Sequence, residues 1–230
     1  MIELAKHQLD IGLTTEYRDE TLAFWQHEVG LTYDGPLSVG GGVQQHRHSF
    51  RGSIVKINHS RDPVDPAPPS GYRRVFVAQP GRTEVLGAAD PGGNQVVLVP
   101  PGFEGITQLA VEIGVRDLDA HAHFWGEVVG VPASPRSGEC AFRVGDSLIR
   151  LVDDPDAPID STRRGAGYRY CTLQVFDADA EYRRCTEAGA RDGHEPFTHG
   201  DVARYGFIRD PDGNWIELSQ RASITGPVPA

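Results

Sequence analysis

Apolar and polar positions in this chain fall into one pattern that occurs twice. Residues 9–31 align without gaps with residues 109–131, an offset of 100 positions. Leu9 matches Leu109, Asp19 matches Asp119, Phe24-Trp25 matches Phe124-Trp125, and Val29-Gly30 matches Val129-Gly130. Each copy opens with an apolar stretch of strand character. Each continues with apolar residues at helical spacing (Leu22, Phe24, Trp25 and Val29 in the first) and stops at a glycine suited to a helix C-terminus.

A second pair of matches follows. Gly71-Tyr72-Arg73 recurs as Gly167-Tyr168-Arg169, and each triplet opens a strand, Arg74 to Ala78 and Tyr170 to Phe176. Asp90-Pro91-Gly92-Gly93-Asn94 recurs as Asp210-Pro211-Asp212-Gly213-Asn214, a tight turn before a last strand, Gln95 to Val99 or Trp215 to Leu218. Asn94 follows Gly71 by 23 positions, whereas Asn214 follows Gly167 by 47. The shorter unit therefore lacks about one helix and its neighbouring segment. The longer one has a helical stretch, Ala178 to Ala188, ending at Gly189.

The pattern predicts four modules, near 5–60, 70–100, 106–154 and 166–220, each built as strand, helix and three strands, with the second stripped of its helix. Val43 to Phe50 and Ser53 to Asn58 supply strands of module one. Cys140 to Val144 and Ser147 to Val152 supply those of module three. The Pro-rich Ser60 to Ser70 and the polar Leu151 to Gly165 read as connections. Read as consecutive pairs, the modules divide the chain into domains 1–103 and 104–230.

Composition narrows the partners. A formal charge of -10 argues against a nucleic-acid footprint and against anionic membrane. No apolar run reaches the roughly 18 residues of a membrane span, and residues 1–10 lack the apolar core of a signal peptide. Cys140, Cys171 and Cys185 are odd in number, lack CxxC spacing and read as free thiols of a cytoplasmic protein.

The run Phe207 to Leu218, with its DPDGN turn and Glu217, resembles the closing strand of the vicinal oxygen chelate (glyoxalase/bleomycin-resistance/extradiol dioxygenase) superfamily. The two strand–helix segments with Phe-Trp and Val-Gly resemble that superfamily's opening unit. The resemblance implies an α+β fold of tandem βαβββ modules forming two cupped mixed sheets. It implies a small-molecule substrate, with homodimers among the assemblies it allows. It also implies a divalent metal (Zn, Mn, Fe or Ni, present in some members and absent in others), held by one ligand from a first strand and one from a last strand.

Tested residue by residue, the first-strand positions fall on Asp10, Arg74, Ala110 and Tyr170, and the last-strand positions on Lys56, Val97, Arg150 and Glu217. Of these eight, Asp10 and Glu217 are hard-metal ligands, while a charged lysine or arginine offers no lone pair. If modules one and two pair, Asp10 faces Lys56 and Arg74; if modules one and four pair, Asp10 and Glu217 share a cup. His46 and His48 alternate on one strand and complete a two-His-one-carboxylate set with Asp10 or Glu217. The candidates are Glu217, His48 and Lys56 for catalysis, Arg74, Arg150, Tyr170, Tyr205 and Asn58 for substrate, and His46, His48, Asp10 and Glu217 for metal. His194 and His199 read as residues of a loop that could lid the cup. The leading expectation is an isomerase, epimerase or lyase working through an enolate. The alternatives are an extradiol ring-cleaving dioxygenase, against which Ala110 and Tyr170 count, and a non-catalytic small-molecule or drug-binding protein.

Overall fold

The computed structural model of the chain describes residues 1–64, 66–134 and 140–229. Module one comprises β1 (Asp10–Thr15), α1 (Arg18–Ala23), β2 (Thr32–Ser38), β3 (Val43–Phe50) and β4 (Ser53–Ser60). Module two comprises β5 (Tyr72–Ala78), β6 (Leu86–Ala89) and β7 (Gln95–Val99), with no helix among its described residues. Module three comprises β8 (Leu109–Val115), α2 (Leu118–His123), β9 (Cys140–Val144) and β10 (Ser147–Asp153). Module four comprises β11 (Gly167–Gln174), α3 (Ala178–Glu187), β12 (Arg191–His199), β13 (Ala203–Arg209) and β14 (Trp215–Arg221), before a last turn of helix, α4 (Ala222–Thr225).

The strands form two mixed sheets. Modules one and four build the larger, in the order β12-β13-β14-β11-β1-β4-β3-β2. Modules two and three build the smaller, in the order β6-β7-β5-β8-β10-β9. The α+β architecture of cupped modules that the resemblance implied is thus present. The pairing is one with four and two with three, joined by antiparallel seams β1–β11 and β5–β8. Each sheet takes strands from both sides of residue 103. The 1–103 and 104–230 division follows the sequence repeat and not the hydrogen-bonded sheets. Tandem repeats give no signal of which copies pair, because every copy offers an equivalent first strand.

One apolar cluster contains one face of both sheets. Ile11, Leu13, Val55, Ile57, Cys171, Leu173, Ile216 and Leu218 come from the larger sheet, and Val75, Val77, Val111, Ile113 and Ile149 from the smaller. Phe24-Trp25 and Phe124-Trp125 fill it from the helices, each pair packed edge to face at 5.8 and 5.4 Å. Both repeat helices widen into a π-helical turn at these aromatics, Phe24–Glu28 and Phe124–Val129. Gly30 and Gly130 then take left-handed φ values of 78° and 80°, which stop the helices where glycine predicted. The strand faces opposite this core form two cups.

Three strands escaped the sequence reading: β2, β6 and β12. Two of them, β2 and β12, are the edges of the larger sheet, and each carries a proline and an irregular register. Proline and polar residues are tolerated at an edge, and they blur the alternation that marks a strand. His194 and His199 accordingly lie on β12 and not in a loop. The ring Nε2 of His199 donates to Ser38 O at 3.0 Å, so the two edges of the larger sheet meet across the mouth of its cup. Asp65, in the Pro-rich connection, lies outside the described residues. Among the described residues, no helix is long and apolar enough to cross a membrane.

Candidate active site

The larger cup is laid out by the β3–β4 hairpin. Its two-residue turn, Arg51-Gly52, has positive φ at both positions (47° and 95°), the geometry that continues strand twist through a tight hairpin. That turn fixes the register Gln45 to Asn58, His46 to Ile57, Arg47 to Lys56 and His48 to Val55. Directly opposed residues share a sheet face. Lys56 and Asn58 therefore bring Gln45 and Arg47 into the cup, while His46 and His48 join Val55 and Ile57 on the core side.

Lys56 and Glu217 form the floor. The Lys56 ammonium Nζ donates to Thr172 Oγ1 at 2.7 Å and lies 3.1 Å from both Glu217 carboxylate oxygens. Thr172 is the register partner of Glu217 on β14 and of Asp10 on β1, and its hydroxyl lies 3.3 Å from Glu217 Oε2. Lys56 and Glu217 are 3% and 7% exposed, so the pair is held out of bulk water. Burial pushes the Lys56 ammonium below its ordinary range, and the Glu217 and Asp10 carboxylates oppose that shift.

Tyr170 lies across the floor because β1 has a glycine there. A Cβ at Gly12 would collide with the Tyr170 ring. The Tyr170 hydroxyl oxygen accepts from Asn58 Nδ2 at 3.2 Å and from Gln45 Nε2 at 3.4 Å. Burial, with the Glu217 charge, pushes its ionisation up, so the phenol keeps its proton and can donate it to a ligand.

These groups line a cavity of about 490 Å³, large enough for a molecule of several rings. One wall is aromatic: Phe197 and Tyr205 pack at a tilt 4.4 Å apart, and Phe207 meets Tyr205 and Tyr170 edge to face, each at 5.9 Å. The other wall is polar, from Gln45, Arg47 and Asn58. Arg163, Arg164 and Arg221 reach the rim. Gln174 Nε2 donates to Asp10 Oδ2 at 3.2 Å, and its Oε1 is buried without a partner.

Of the residues singled out from sequence, Glu217, Lys56, Asn58, Tyr170 and Tyr205 meet in this cavity, and His194 and His199 of β12 line it too. The others do not. His46 Nδ1 pairs with the Tyr33 hydroxyl at 2.8 Å, and His48 is fully buried against the Tyr33 ring with neither nitrogen partnered. Burial lowers the proton affinity of both, that of His48 to about 4. The strand alternation was read correctly and the face was not. Asp10 bonds Lys6, the Ile54 amide and Gln174 instead of joining Glu217.

Arg74 and Arg150 belong to the smaller sheet, which removes them from this cavity. Arg74 pairs with Glu112 at 2.6 Å, Arg150 with Glu104 at 2.8 Å, and both cover the Phe76 ring. The smaller cup is packed with Phe76, Ala110, Val99, Ile106 and Leu148, with Phe103 of the turn Phe103–Gly105 against them. Gln45, Arg47, Thr172, Gln174 and Arg221 were missed. For the first two, the register imposed by Arg51-Gly52 was the available signal.

The donor set of the larger cup does not fit a divalent metal. At the last-strand position of module one stands a lysine whose ammonium spans both oxygens of Glu217. The first-strand positions nearest it offer Gly12, Tyr170 and Thr172. An ammonium has no lone pair to give, and its charge opposes a second cation. Among the described residues, no group of three or more His, Cys, Asp or Glu side chains is arranged to hold a metal ion.

Comparison with known proteins agrees with the geometry. Residues 106–218, modules three and four, match the model of the Glyoxalase/Bleomycin resistance protein/Dioxygenase superfamily. The uncharacterized protein YwbC of Bacillus subtilis (strain 168) is 28% identical over 120 residues, 47% of this chain and 93% of YwbC. The fold is similar to that of glyoxalase I from Zea mays, with a TM-score of 0.73 over 95% of this chain and 92% of that one, at 14% identity. A protein from Bacillus subtilis subsp. subtilis str. 168, provisionally assigned as a dioxygenase, has a TM-score of 0.69 over 96% of this chain and 86% of that one, at 12% identity.

Proposed function

Because residues 106–218 belong to the Glyoxalase/Bleomycin resistance protein/Dioxygenase superfamily and the whole chain carries the glyoxalase fold, we propose that the larger cup is a proton-transfer site for a small carbonyl compound. The observation that carries this reading is the buried Lys56–Glu217 pair on the floor of the cavity. In this reading Lys56 performs with an ammonium what a Lewis acid performs in metal-dependent relatives, the stabilisation of a developing oxyanion.

The ligand's carbonyl oxygen accepts a hydrogen bond from the Lys56 ammonium in place of a Glu217 oxygen, and the Tyr170 hydroxyl supplies a second donor. Freed on one side, the Glu217 carboxylate removes a proton from the neighbouring carbon. The electron pair moves into the enolate oxygen, and the proton returns to carbon at the same or an adjacent position. No redox partner is consumed, and the net result is isomerisation or epimerisation. Asn58 and Gln45 orient Tyr170, and the aromatic wall excludes water from the enolate.

The test is incorporation of solvent deuterium next to the carbonyl across a panel of ketones and 2-oxo acids, followed by NMR. Wild-type protein is expected to catalyse exchange for a subset. Glu217→Gln is expected to lose at least 100-fold of it, as removal of a general base does, while still binding the ligand. Exchange should also fall as pH rises through the lowered Lys56 value, because only the ammonium donates. Exchange unaffected in Glu217→Gln would overturn the assignment.

A second reading is favoured by one contact set. All three ammonium donors of Lys56 are already spent on Thr172 and Glu217, which suits a cup that sequesters a molecule without turnover. Binding without exchange in the same experiment selects it.

A further inference from the structure

The larger cup is charged opposite to the chain. The chain carries a formal charge of -10, yet Arg47, Arg163, Arg164 and Arg221 line this one cavity. The two carboxylates that also line it are already paired, Glu217 with Lys56 at 3.1 Å and Asp62 with Arg61 at 3.9 Å. None of the four arginines pairs with a carboxylate among the described residues. Arg47 Nη1 donates only to Gln45 Oε1 at 3.2 Å, Arg221 Nε donates to Ser223 Oγ at 3.1 Å, and Arg163 stacks on the Phe207 ring at 4.6 Å. Elsewhere Arg73, Arg74, Arg150 and Arg204 close on acids, while Arg116 and Arg169 spend their donors on backbone carbonyls.

Arg47 and Arg221 also line the groove that adjoins the cavity beside Gln174, so both stand at one end of it. At the other end lies the ladder Phe197, Tyr205 and Phe207, capped by Arg163. A site with two guanidinium groups that close no ion pair among the described residues at one end, and aromatic rings along one wall, is complementary to a flat molecule with an acid group at its edge. Guanidinium matches carboxylate oxygen two bonds at a time, and rings stack under a cation.

We infer that the larger cup selects a planar aromatic carboxylic acid, its carboxylate held by Arg47 and Arg221 and its rings packed against the aromatic wall of Tyr205 and Phe207. This rests on the larger cup being a ligand site, and it does not require Glu217 to transfer a proton.

The experiment is fluorescence titration of the intact chain with pyrene-1-carboxylate and with its neutral analogue, pyrene-1-carboxamide. The carboxylate is expected to bind at least tenfold more tightly, the equivalent of about 1.4 kcal/mol. Raising the salt concentration should weaken the carboxylate and leave the amide unchanged. The double variant Arg47→Met/Arg221→Met should erase the preference while retaining amide binding. Tyr205→Ala should weaken both probes. Equal affinity of wild-type protein for the two probes, or a preference that survives in the double variant, overturns the inference. Should the double variant fail to fold by circular dichroism, the two-probe comparison and the salt titration on wild-type protein decide alone. Deuterium exchange lost with the preference intact would overturn only the proton-transfer reading. Exchange intact with no preference for the acid would overturn only this one.

Discussion

At the scale of single residues, the contact on which most depends is Lys56 with Glu217. Their attraction offsets the cost of removing two charges from water only while both partners are present. Lys56→Met leaves Glu217 buried and uncompensated, and is expected to cost roughly 3–5 kcal/mol in urea unfolding. Lys56→Met/Glu217→Leu should recover most of that loss while catalysing no deuterium exchange. Additive destabilisation in the double variant would show that the two groups are not a coupled pair.

The misassigned histidines make a second residue-scale prediction. His48 has a folded value of about 4 against an ordinary 6.5. Between those values the unfolded chain binds more protons, so stability rises with pH across the window and is lost as pH falls through it. His121 acts in the opposite sense. Burial opposes its charge, but the Asp210 and Asp212 carboxylates 3.4 and 3.6 Å from Nε2 outweigh burial and raise its value. Its contribution is full below the unfolded value and is lost as pH rises through the folded one. Thermal melts should therefore show a falling midpoint from pH 6.5 toward 4 that is blunted in His48→Leu. An unchanged slope in that variant would contradict the assignment. Glu217 and Lys56 were legible in the sequence because the repeat marks last-strand positions. Arg47 was not, because its role depends on which face a strand presents, and hydrophobic alternation was weak along β3.

At the scale of elements, the repeated turn proves to be structural. Asp210 Oδ1 accepts from the Asn214 amide at 2.8 Å and Oδ2 from its side chain at 2.9 Å, and Asp90 closes on Asn94 in the same way. Asn214 Oδ1 also accepts from Gly71 N at 2.7 Å, which ties module four to the start of module two. The motif therefore identifies the architecture strongly and the chemistry weakly. The element that shapes the site is β1 at Gly12, where the missing side chain admits the Tyr170 ring. Gly12→Ala is expected to displace Tyr170, lower stability by about 1–3 kcal/mol through overpacking, and weaken ligand binding. Gly12→Ala/Tyr170→Leu should regain stability but not binding. A Gly12→Ala protein with unaltered binding would contradict this role.

At the scale of the molecule, sequence order and spatial order differ. The repeat made four modules and two cupped sheets legible. It left the pairing open, because pairing is decided by seams between distant strands and one core shared by both sheets. Two consequences follow for function: one cup carries a cavity with a charged floor, and the other is filled by its own apolar and ion-paired side chains. Residues 1–103 expressed alone lack β11 and β14, so they are expected to be unfolded by circular dichroism. Co-expression with residues 104–230 should restore native melting. An independently folded, cooperative 1–103 fragment would contradict the shared sheet.

In the proposed reaction the Lys56 ammonium does the work of a Lewis-acid cation at the floor of the larger cup. The most direct measurement of this is metal content per chain by mass spectrometry, taken with ligand binding and deuterium exchange before and after exhaustive chelation. The expected result is far less than one divalent metal per chain, with binding and exchange unchanged by chelation. One metal per chain, with function lost on its removal and regained on its return, would contradict it.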